Sequence, residues 1–110
     1  MTQQSLGLLQ GTVDVLILKT LSWKPMHGFG VAEFIRHQSG GDLAVEDAAL
    51  YQALHRLERK ALVESEWGVS ELNRRARIYS ITALGRKQLR SEVVELRRYM
   101  AALFRVLEPA

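Results

Sequence analysis

Residues 73 to 77 read Asn73-Arg74-Arg75-Ala76-Arg77, three guanidiniums within five positions, with Glu71 the carboxylate close by. Clustered like charges repel one another, and that cost falls when a polyanion neutralises them. Arginine suits the task, because its planar fork meets two phosphate oxygens at once. A second polar set lies upstream, where Tyr51, Gln52, His55, Arg56 and Arg59 alternate with Leu50, Ala53, Leu54, Leu57 and Ala61. Those five apolar residues fall at i, i+3, i+4, i+7 and i+11, the stripe of an amphipathic helix. A helix fits the major groove of DNA, where Arg can hold guanine O6 and N7 and Gln can pair with adenine. Either segment alone also fits a solvated surface. A groove-sized helix followed at once by a basic tip points to nucleic acid.

Other chemistry finds little footing. His27 precedes Gly28 at a helix start, where it can bond a free backbone group; His37 lies on an amphipathic helix, and His55 on the arginine-bearing face. No His-Glu-x-x-His, no Gly-x-Ser-x-Gly and no phosphate-binding glycine loop occurs. The adjacent carboxylates Glu46 and Asp47 would not face each other on a helix. Cysteine is absent, which removes disulfides and thiolate metal sites and fits a reducing cytosol. The chain is expected to be no enzyme, to use no cofactor or metal, and to work in the cytoplasm. Its apolar runs are too short to cross a bilayer, and no secretory signal is read at Met1 to Ser5.

The elements that must position these residues follow from periodicity. With 110 residues, 47% of them hydrophobic, one domain is expected. A first helix is predicted from about Leu9 to Ser22, ending before Pro25, and a second from Gly28 to about Ser39, stopped by Gly40-Gly41. Asp42 to Val45 reads as an extended link into the third, arginine-bearing helix, with Asp47 near its start. Then the period changes to two. Val63, Ser65, Trp67 and Val69 alternate with Glu64, Glu66 and Gly68; a polar turn spans Ser70 to Ala76, and Ile78 to Ile81 forms a second strand. Thr82 can cap a last helix running to about Leu107. The fold class is therefore mainly α with a small β-hairpin: a winged helix-turn-helix with an added long C-terminal helix.

That last helix carries Leu89, Val93, Leu96, Met100, Leu103 and Leu107 at spacings of 4, 3, 4, 3 and 4, the a/d seam of a coiled coil. At about 1.5 Å per residue it would reach about 36 Å and overhang a domain this small. The seam predicts a homodimer, with the first helix joining the interface. Residues 1–82 are read as the DNA-binding unit and 83–110 as the dimerisation helix.

Several segments together resemble the PadR family of bacterial transcriptional regulators: Met26-His27-Gly28-Phe29-Gly30, Leu50 through Glu58, Leu62-Val63, Glu66-Trp67, Asn73 through Tyr79, and Thr82 through Arg86. The resemblance implies a dimeric repressor of operator DNA, with the recognition helix at Leu50 to Leu57 and the wing at Asn73 to Arg77. It also implies, for some members, release by a small apolar or aromatic effector bound at the dimer interface. Two stretches depart from the family pattern. Ala48-Ala49 stand where Gly and a hydroxyl residue are usual, and Gln52 replaces Pro, removing one phosphate contact and adding one base reader. Phe29-Gly30 replace a Tyr and its neighbour. Two other readings remain open: a protein–protein module that binds no DNA, and a sensor whose input is a small ligand.

Overall fold

The computed structural model describes Leu8 and residues 11–109. The elements run α1 (Thr12–Trp23), β1 (Met26–His27), α2 (Gly28–Gln38), α3 (Asp47–Arg59), β2 (Val63–Val69), β3 (Arg75–Ile81) and α4 (Ala83–Leu107). Four helices with a three-stranded antiparallel sheet, in the order β1-β3-β2, make a winged helix-turn-helix with a long final helix. The predicted start of the first helix at Leu9 lies outside the described residues.

Helix α1 is the central support of the domain. Val15, Ile17, Leu18, Thr20 and Leu21 are buried, and the helix meets α2, α3, α4 and β3. A helix that is apolar on more than one side buries most of its length. Its one polar buried side chain, Thr20, donates to the Leu16 carbonyl at 2.8 Å, so no hydroxyl is stranded. From α2 come Val31 and Ile35, from α3 Leu50, Ala53, Leu54 and Leu57, and from the sheet Val63 and Tyr79, all in one continuous core that Leu89 of α4 also enters.

Both α2 and α3 end in the same way. After α2, the Gly41 N–H donates to the Arg36 carbonyl and the Gly40 N–H to that of His37, with Gly40 at φ 65°. After α3, the Leu62 N–H donates to Leu57 at 3.0 Å and the Ala61 N–H to Glu58 at 3.0 Å. This paired bonding satisfies the last helical carbonyls and requires a left-handed residue, ordinarily glycine. Ala61 fills that position at φ 61°.

Here the helical stripe predicted over Leu50 to Ala61 needs correction. Ala61 lies past the helix end and is exposed, because the chain has already reversed there. A second correction concerns the wing. β3 begins at Arg75 rather than Ile78, since Val69 pairs with Arg75 and Trp67 with Arg77. The turn is correspondingly shorter, with Asn73 at φ 59° and its N–H bonded to the Ser70 carbonyl. The strand β1 was not foreseen at all; Met26 and His27 pair with Tyr79 and Ile78.

Helix α4 begins as its sequence indicates. The Thr82 hydroxyl accepts from the Gly85 N–H at 3.0 Å. Across the fold it also faces the carbonyls of Ala61 and Leu62, at 2.7 and 3.1 Å, and donates there. Gly85 is required by space: a Cβ at that position would lie 2.0 Å from the Leu62 carbonyl oxygen.

Replacing Ala61 by glycine relieves the left-handed strain while keeping every backbone bond of the turn. Ala61→Gly is expected to stabilise the fold by about 1 kcal/mol, or about 4–8 °C at the unfolding midpoint. A thermal denaturation curve checks it, and a midpoint at or below that of the parent chain contradicts the strain.

Candidate nucleic-acid interface

The buried stripe of α3 turns the opposite side outward. Ala48, Gln52, His55 and Arg59, spaced 4, 3 and 4 apart, form that exposed side. Tyr51 and Arg56 stand at its two flanks, and the fold treats them differently.

Tyr51 leans on the start of α2. A Cβ on Gly28 would come within 2.8 Å of the Tyr51 ring and 2.9 Å of its hydroxyl, so the missing side chain is what lets the ring close there. The first turn of α2 is fixed by His27, whose Nδ1 accepts from the Gly30 N–H at 3.1 Å. That is the structural role expected of this histidine; its ring also stacks with Phe29, centroids 6.3 Å apart. The Tyr79 phenol lies deeper. Burial pushes its pKa above the usual tyrosine value, with the Glu58 carboxylate adding to the rise.

Arg56 is drawn the other way, onto α1. Its Nη2 and Nε donate to the two carboxylate oxygens of Asp14 at 2.5 and 3.2 Å. This bidentate bond holds the guanidinium pKa above its ordinary value. The structure thus separates Arg56 from Gln52, His55 and Arg59, which have no carboxylate bonded to them among the described residues.

The wing carries the other basic group. Its period of two puts Trp67 on the same sheet face as Arg75 and Arg77, through the pairs Trp67–Arg77 and Val69–Arg75. The Arg75 and Arg77 guanidiniums lie 4.6 and 5.2 Å from the centre of the Trp67 ring. Arg77 Nε donates to the Ser65 hydroxyl at 3.1 Å, and Ser65 in turn donates to Glu58 of α3 at 2.7 Å. Wing and helix are therefore joined by a polar chain from Arg77 through Ser65 to Glu58. Arg74 and Asn73 are exposed at the tip.

The period-two reading of β2 grouped Trp67 with Val63 and Ser65. It shares their face but is 56% exposed, because the sheet extends past the core at that point. Asp14 was missed altogether as a partner of the site, and no local pattern could have joined two residues 42 positions apart. Among the described residues no group of His, Cys, Asp or Glu is arranged to hold a metal ion, and no helix is long and apolar enough to cross a membrane.

Comparison with known proteins adds four findings. A family model described as the transcriptional regulator PadR-like family matches residues 17–91. Among solved structures, a transcriptional regulator from Clostridium thermocellum is 26% identical with a TM-score of 0.78, covering 86% of this chain and 88% of its own. A PadR family transcription regulator from Clostridium difficile is 26% identical with a TM-score of 0.76, over 88% and 99% of the two chains. Bacillus subtilis PadR in complex with operator DNA shares the fold at 14% identity, with a TM-score of 0.67, over 76% of this chain and 47% of that one.

The Asp14–Arg56 pair is partly exposed, with side-chain exposures of 21% and 41%, so solvent screens much of its attraction. A double-mutant cycle with Asp14→Ala and Arg56→Ala, read by chemical denaturation, is expected to give a coupling of about 0.5–1 kcal/mol. Additive losses would show that the pair does not tie α3 to α1.

Proposed function

The chain belongs to the PadR-like family of transcriptional regulators, and from that premise we propose that it is a homodimeric repressor that binds operator DNA through α3 and the wing. The observation that carries this reading is the exposed side of α3 standing beside an arginine-lined hairpin, joined to it through Ser65 and Glu58. The existence of an operator complex for Bacillus subtilis PadR supports it. In this reading Gln52, His55 and Arg59 face base edges. Tyr51, Asn73, Arg74, Arg75 and Arg77 hold phosphates or enter the minor groove. Arg56, bonded to Asp14, acts at the rim by fixing α3 against α1.

The dimer part of the proposal rests on α4. Leu89 is buried and Val93 and Leu96 are packed against the core, yet Met100, Leu103 and Leu107 of the same seam are 45%, 38% and 62% exposed. Tyr99, Phe104 and Val106 are exposed alongside them. Apolar surface so concentrated on a projecting helix is stabilised by a second copy. On this view residues 83–110 are the association helix and 1–82 the DNA-binding unit. Two copies then present their α3 helices to one face of a duplex, about 34–36 Å apart. The proposal extends to release by a small apolar or aromatic effector at this interface, and to action in the cytoplasm. Footprinting on the chain's own upstream region, with and without aromatic compounds, tests operator binding and release together.

Two outcomes are expected. Arg74→Ala combined with Arg75→Ala weakens binding to every sequence and lowers the log–log salt slope by about 2, near one per lost phosphate contact. An unchanged slope in a titration from low to high salt takes the wing out of the interface. Met100→Glu with Leu103→Glu should turn a dimer into a monomer in sedimentation at micromolar concentration, because each buried carboxylate costs several kcal/mol unless neutralised. A parent chain that sediments as a monomer at that concentration overturns the dimer.

A further inference from the structure

Trp67 is a large apolar ring left mostly in solvent on an exposed strand, with no core to fill. What touches it is charge: the guanidiniums of Arg75 and Arg77 lie over its ring at 4.6 and 5.2 Å from the centroid. Two cations beside one another repel, and the negative face of an indole offsets part of that repulsion. Long arginine side chains also lose rotamer freedom when they meet a ligand, and side chains already held in place lose less. Arg77 is held from a second direction by Ser65, itself bonded to Glu58 on α3. The ring and the hydroxyl together set where this guanidinium stands relative to the helix.

Resting on the reading of the wing as a DNA contact, we infer that Trp67 is a positioning residue of that contact: it holds Arg75 and Arg77 in a common, ordered array for the duplex and acts through them. The ring need not touch DNA. Its effect on binding is therefore conditional on the two arginines, which separates it from a residue that merely keeps the hairpin folded and from one that stacks on a base.

The test measures affinity for a mixed-sequence duplex of about three helical turns by the full chain carrying Trp67→Ala, Trp67→Leu or Trp67→Phe, and repeats Trp67→Ala in an Arg75→Ala, Arg77→Ala background. Trp67→Ala and Trp67→Leu are expected to weaken binding by about three- to tenfold, and Trp67→Phe, which keeps an aromatic face, to stay within about twofold of the parent. In the background lacking Arg75 and Arg77, Trp67→Ala should cost nothing further. If Trp67→Ala weakens binding equally in both backgrounds, the ring acts on its own and the inference fails. It fails too if Trp67→Leu binds like the parent while the arginine double variant does not. A double variant that binds like the parent overturns the wing reading itself, and the inference with it. Should Trp67→Ala unfold, the comparison of Trp67→Leu with Trp67→Phe at matched unfolding midpoints decides.

Discussion

Leu62 is the point at which the three working parts of the molecule are fastened together. Its N–H closes the turn that ends α3, and its carbonyl accepts the backbone N–H of Thr82 at 3.1 Å. The same carbonyl faces the place where Gly85 has no side chain. One residue therefore fixes the end of the arginine-bearing helix, the start of the hairpin strand β2 and the first turn of α4. Because the approach leaves no room for a Cβ, these elements can shift against one another only by breaking several backbone bonds at once. The projecting helix and α3 are thus tied together through this junction, with the Asp14–Arg56 bond as a second tie by way of α1.

How much of this was legible in the sequence depended on whether the cause was local. Helix ends were, because they are written in a few adjacent residues: Gly40-Gly41 after α2, and the Thr82 hydroxyl before α4. The stripe on α3 and the seam on α4 were readable as period, and the place where α4 leaves its own domain follows from a helix longer than the core it packs on. The failures share a different cause. Ala61 continues the helical period but sits in a reversed turn, and alanine gives no sign of a left-handed conformation. β1 is two residues long, too short for any period, and exists because β3 offers it an edge.

The site was legible as composition more than as geometry. Five polar residues on α3 and four on the wing could be named, yet their division could not. Arg56 looks like Arg59 in sequence; only tertiary placement bonds one to Asp14 and leaves the other on the outward side. Alternation grouped Trp67 with Val63 and Ser65 but could not show its surroundings, since it says which residues share a side and not how far the core extends beneath them.

A formal charge of +3 is small for a chain read as a DNA-binding protein. The hairpin resolves the difficulty, because its charges are sorted by face. Arg75 and Arg77 share one side with Trp67, while Glu64 and Glu66 pair with Ser80 and Ile78 on the other. A strand period of two turns an alternating sequence into two surfaces of opposite sign. The sum nearly cancels, but the field near either face does not, since screening over about 10 Å at moderate salt separates what the total combines. What a phosphate backbone meets is the local face. The overall charge is then free to stay low, limiting self-repulsion in a domain whose α4 must approach its own copy if the proposed dimer forms.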